Sequence, residues 1–102
     1  MKAYAIDSNT QKTKSINIEM QADAIYSFFD STQTDELSTL EGHTIHTDAN
    51  AVVKSKKAYF IGEQLVVGDA LIVGKDGAYG RDANISKKEL DSLLNYDVTS
   101  FI

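Results

Sequence analysis

Few residues in this chain have types and spacing suited to chemistry. They are His43, His46 and Asp48 in the run His-Thr-Ile-His-Thr-Asp, the acid pair Asp35-Glu36, Lys75 after Gly74, and Tyr79. Cysteine is absent, which removes thiolate metal ligands, disulfides and cysteine nucleophiles together. Two histidines about one helical turn apart could chelate zinc, but Thr44, Ile45 and Thr47 around them predict a strand. In a strand, residues i and i+3 point to opposite faces, so His43 and His46 diverge. His46 and Asp48 share a face, yet two ligands do not complete a site. The expectation is no metal, with both histidines at the surface or in a hairpin.

The segment Gly68 to Asp76 superficially resembles a phosphate-binding loop. That motif needs four residues between its glycines and Ser or Thr after the lysine. Here five strand-forming residues intervene and Asp76 follows Lys75, so the match fails. Gly74, Gly77 and Gly80 are better read as positions of positive φ in a tight connection. No serine adjoins a histidine and no Gly-x-Ser-x-Gly elbow is present, so nothing marks a nucleophile. Asp35 and Glu36 fall in a polar segment where they would be solvated. The reading is a protein without catalytic residues, metal or cofactor. Asn84-Ile85-Ser86 forms a sequon, but Ser86 is better explained as a helix cap. Tyr79, on a glycine-rich loop with Arg81 beside it, is the candidate partner contact, since an aromatic on a loop is a typical anchor.

Length and composition bound the setting. The 102 residues make one domain, 1–102, with 42% hydrophobic and 25% charged residues, values typical of a folded globule. The net charge of −5, from 15 acids against 10 bases, argues against a nucleic-acid groove. Lys54, Lys56 and Lys57 cluster, and are read as guards at the start of an apolar strand. The first apolar run is too short for a signal peptide and no run spans a bilayer. A soluble, cytoplasmic protein is expected.

The elements that must position these residues are mostly strands. Residues 2–7, and Ile16, Ile18 and Met20 at period two, predict an antiparallel hairpin. Ile25, Phe28 and Phe29 predict a short amphipathic helix over 21–30. Residues 31–42 carry no clear pattern, although Leu37 and Leu40 would suit a short strand or a helical turn. Strands are expected at 43–47 and 51–54, then in the dense run Lys57 to Lys75, where Gly62, Gly68-Asp69 and Gly74 mark turns. Ser86 and Glu89 form a capping box for a last helix with Leu90, Leu93 and Leu94 on one stripe, extended toward Val98 and Phe101. The result is an α+β fold, a mostly antiparallel five- or six-stranded sheet with two short helices, in the order β-β-α-β-β-β-β-α. Ala70 to Val73 is apolar throughout, so both faces of that strand need cover. A homodimer or a sheet bent over itself would supply it.

Several segments together resemble a known family. They are Met1 to Asp7, Ile25-Tyr26, Gly42-His43-Thr44-Ile45, Tyr59-Phe60-Ile61, Gly68 to Gly74, and Ile85-Ser86-x-x-Glu89-Leu90. Over roughly residues 1–95 the chain resembles small uncharacterised proteins carried by bacteriophages, plasmids and other mobile elements. It departs from their usual look in lacking prolines before its last core strand. That family has no established function, so no catalytic residue carries over. The resemblance implies a bacterial cytoplasmic setting and an accessory role. Two functions follow as expectations. One is a small interaction protein that modulates a host or phage protein through a sheet face or the glycine loop. The alternative is an acidic decoy that occupies the DNA-binding surface of a host defence protein.

Overall fold

The computed structural model describes residues 1–19, 21–54, 56–76 and 79–98. Its elements are β1 (Lys2–Asp7), β2 (Lys12–Asn17), α1 (Ala22–Phe29), β3 (Thr34–Leu37), β4 (His43–Asp48), β5 (Ala58–Ile61), β6 (Gln64–Val67), β7 (Ala70–Asp76), β8 (Tyr79–Arg81), α2 (Lys87–Leu93) and β9 (Leu94–Asn95). The class is α+β with two helices and antiparallel pairing. Six strands rather than four lie between the helices, and they divide between two sheets.

The larger sheet has six strands, in the order β2-β1-β7-β4-β3 with β8 paired to the far end of β7. The apolar strand β7 is central. Ala70 to Ile72 pair with Ile6 to Tyr4 on one side, and Ala70 to Gly74 pair with Thr47 to His43 on the other. Because side chains alternate along a strand, β7 feeds two cores. Ala70 and Ile72 join Tyr4, Ile6 and Ile45 on one face, against Tyr59, Ile61, Val66 and Leu90. Leu71 and Val73 join Ala3 on the other, against Ile25 and Phe29 of α1.

This arrangement answers the question of cover. The first face lies under the three-stranded sheet β6-β5-β9 and α2, and the second under α1. Both faces of Ala70–Val73 are therefore covered within one chain, and the strand no longer calls for a second copy. Leu71 is 0% exposed, as a central core strand requires.

Local differences from the sequence expectation have physical causes. Residues 51–54 form a turn, not a strand. Asp48 accepts the Asn50 N–H on its carboxylate at 2.8 Å, and the Ala51 N–H donates to the Asp48 carbonyl at 3.1 Å. These bonds bend the chain before Val52 and Val53 can extend. Thr34–Leu37 pairs with β4 as an edge strand, which settles part of the unassigned 31–42 segment. The Ser86 hydroxyl accepts the Glu89 N–H at 3.1 Å and starts α2. The helix stops at Leu93, because Leu94 and Asn95 pair with Ile61 and Phe60; the longer apolar stripe through Leu94 does not form. Met20 and Phe101 fall outside the described residues.

Two glycines act differently from each other. Gly68, at φ +83°, turns the chain between β6 and β7, and a Cβ there would stand 2.8 Å from that of Ala51. Gly74 lies within β7, away from positive φ. It is needed because a Cβ would collide with the Asp82 carbonyl oxygen and sit 2.6 Å from Arg81 Cγ. The glycine-rich "loop" is thus largely a hairpin of β7 and β8, with Gly80 inside β8 and Gly77 outside the described residues.

Candidate functional site

β4 places the two histidines on opposite faces, as its period demands. Neither is at the surface, because β4 is an interior strand covered on both sides. His43 Nδ1–H donates to the Glu41 carbonyl at 2.8 Å, and its Nε2 accepts the Asn84 N–H at 3.3 Å. That pairing fixes one tautomer and makes His43 a strut between β4 and the chain before α2. His46 is 2% exposed, and neither ring nitrogen has a hydrogen-bond partner. Burial holds its pKa below the usual histidine value, with Glu36 pulling the other way. Its 3.9 Å approach to Glu36 is therefore no ion pair at neutral pH. Among the described residues, no group of three or more His, Cys, Asp or Glu side chains gathers to hold a metal.

Asp48 does organise its surroundings. Lys54 Nζ donates to the Asp48 carboxylate at 2.7 Å and to the carbonyls of Phe29 and Asp30 at 3.3 and 2.9 Å. Burial raises the Asp48 pKa, but the Lys54 and Asn50 hydrogen bonds outweigh it and the net shift is downward. The lysine ties the 49–54 turn to the C-terminal end of α1, where a cation also suits the helix dipole. All three of its donors are engaged.

Held this way, the turn projects Val52 and Val53 outward at 73% and 85% exposure. Val52 lines a cleft of about 400 Å³ with Leu37 and Asp35 of β3 and Leu65 and Val67 of β6. Leu65 is itself 48% exposed. Both flanking strands are edges, β3 of the larger sheet and β6 of the smaller. The cleft therefore combines an apolar floor, carboxylates at one rim and unpaired strand edges. Such a combination suits contact with another polypeptide.

The sequence-derived contact residues lie elsewhere. Tyr79 and Arg81 belong to β8, which pairs with Gly74 to Asp76 of β7. The cleft adjoins the opposite end of that sheet, near Thr47, Asp48 and the turn. Arg81 is exposed there with no link to the cleft, and the side chain of Tyr79 lies outside what is described. Sequence reasoning missed the cleft because Val52-Val53 reads as core strand. Its one available signal was the pair Asp48-Ala49-Asn50 and Lys54, turn formers with a lysine placed to lock them.

Among the described residues no helix is long and apolar enough to cross a membrane. No protein-family model matches the chain, and neither a curated protein nor a solved structure does. The resemblance to mobile-element proteins rests on the quoted segments alone.

Proposed function

We propose that this chain is a small, non-catalytic interaction protein that binds another protein through the cleft between β3 and β6. The carrying observation is the gathering of Val52 and Leu65, at 73% and 48% exposure, around one concavity, with Val53 beside Val52 on the same turn at 85% exposure. Scattered apolar residues are ordinary on a surface, but a cluster rimmed by polar groups marks a contact site. Burying the Val52 and Leu65 side chains yields roughly 2–4 kcal/mol, less than the upper range of association costs. A stable complex therefore also uses the free edges of β3 and β6. An accessory role in a mobile element is the setting that the sequence resemblance supports. Contact is thus assigned to this cleft rather than to a sheet face or the β7–β8 hairpin.

The test is parallel affinity capture from bacterial lysate with wild type and a Val52→Ser/Val53→Ser variant, washed at low and high salt. A partner kept by wild type at high salt and lost by the variant supports an apolar interface. A partner shed by salt and indifferent to the variant favours the acidic decoy instead. Light scattering that shows twice the 11.2 kDa chain mass, returning to monomer in the variant, would make the partner a second copy.

A further inference from the structure

A second concavity, of about 430 Å³, lies where β1, β2 and the end of α1 meet. Its size falls within the range of small-ligand pockets. Ala5, 4% exposed, contributes a single methyl to its lining. Phe28 forms a wall, its ring set edge-on to Phe29 at 4.7 Å between centroids. Ala5 pairs with Lys14 and Asp7 with Lys12 across the β1–β2 hairpin. Both lysines therefore project from the face that carries Ala5 and Phe28.

The charges at this pocket are unequally free. Asp7 accepts the N–H groups of Asn9 and Thr10 at 2.8 and 3.1 Å, and those donors help hold its pKa low. Asp69 accepts the N–H and hydroxyl of Ser8 at 2.8 and 3.0 Å. Asp7 is thus committed to its own turn and Asp69 to joining the β6–β7 turn to the β1–β2 loop. Among the described residues Lys12 and Lys14 have no ion-pair partner. Two uncommitted ammonium groups thus stand beside an apolar, aromatic-walled hollow on a chain of net charge −5.

We propose that this pocket binds a small organic anion with a flat apolar body, its phosphate or carboxylate head on Lys12 and Lys14 and its body between Ala5 and Phe28. Lysine meets either head as a mobile point charge, and the ring of Phe28 offers a face or edge to a planar body. This site is independent of the cleft and of protein binding there.

The experiment titrates the ¹⁵N-labelled full chain with phenyl phosphate, benzoate, inorganic phosphate and benzylamine. Amide shifts should centre on Ala5, Lys12, Lys14 and Phe28, with phenyl phosphate at least about tenfold tighter than inorganic phosphate. Whichever of phenyl phosphate and benzoate binds more tightly identifies the head group. Lys12→Gln/Lys14→Gln, on an exposed edge strand, should weaken both aromatic anions by about tenfold or more while the melting midpoint stays put. Phe28→Leu should weaken phenyl phosphate and leave inorganic phosphate unchanged. The proposal is overturned if neither aromatic anion shifts these amides at millimolar concentration or if the double lysine variant binds as wild type. It is equally overturned if inorganic phosphate matches phenyl phosphate, or if benzylamine binds better than either anion.

Discussion

The cleft at β3 and β6 and the pocket at β1 and β2 both set apolar side chains among charged ones, but only the pocket includes lysines. The cleft sets Leu37, Val52 and Leu65 beside Asp35 and Glu36; the pocket sets Ala5 and Phe28 beside Lys12 and Lys14. They occupy the two edges of the same six-stranded sheet, β3 at one side and β2 at the other. A net charge of −5 is thus an incomplete guide, because the cleft is lined by acids without a lysine whereas the pocket carries Lys12 and Lys14 alongside Asp7 and Asp69. Charged side chains on exposed edges also discourage uncontrolled strand pairing. Like charges would face one another if two β3 edges, or two β2 edges, met antiparallel. The regions differ in exposure too. The cleft exposes Val52 and Leu65, as a protein contact would require, whereas Ala5 at the pocket is only 4% exposed.

The two regions share one support, the central strand β7, and the largest expected effect comes from weakening it. Leu71→Ala should cost about 2–5 kcal/mol and impair both regions together. Chemical denaturation measures this, and an unchanged midpoint would remove β7 as the common frame. A smaller effect should separate the regions. Lys54→Met leaves the buried Asp48 without its cation, a loss held to roughly 1–3 kcal/mol because the lysine side chain is 34% exposed. Hydrogen exchange should speed up in residues 49–54 and stay slow in the β1–β2 hairpin. Equal acceleration in both would show that the turn is not an independent unit.

Acid provides a gentler probe of the β3–β4 edge. The pKa of His46 is lowered in the fold by burial, while an unfolded histidine titrates near 6.5. Between those values the unfolded chain binds the proton more readily, so stability is complete above about pH 6.5 and falls as pH drops below it. His46→Phe should flatten that decline in melting temperature between pH 7 and 5. A variant that keeps the wild-type slope would assign the sensitivity to another group. The smallest effect on stability should come from Val52→Ser/Val53→Ser, within about 0.5 kcal/mol, since both side chains already face solvent. A larger loss would mean that the valines pack in solution, and the cleft would cease to be a free surface.

Much of the scaffold was legible because neighbours in sequence carry it. The strand at residues 2–7 paired with a second strand that includes Ile16, the apolar run of β7 and the Ser86 cap each report a local preference that the fold respects, although β2 ends at Asn17, before Ile18. The cleft was not legible, because it joins edges of two different sheets that are adjacent only after folding. The histidines show the same division. Their divergence follows from strand periodicity, but their burial depends on α1 and the smaller sheet closing over β4. Leu94 is instructive in the other direction. Its spacing from Leu90 suits a helix, yet pairing with Ile61 draws it into β9.

What the sequence by itself determined is the class of object. It is an antiparallel α+β domain with a strand at 70–73 that must be buried, because propensity and hydrophobic period act over a few residues. Only the tertiary structure decided where that strand finds its cover. Ala70 and Ile72 lie under β5, β6, β9 and α2, and Leu71 and Val73 under α1, all within one chain. It also decided that Val52 and Val53 face outward, since the bond from Lys54 to Asp48 and the end of α1 spans 24 and 25 residues of sequence as well as six. The local residues Asp48 to Lys54 encode the turn, but not its attachment to the end of α1. Whether a hydrophobic pair becomes core or contact surface depends on which distant groups reach it first, and that choice is made by chain closure.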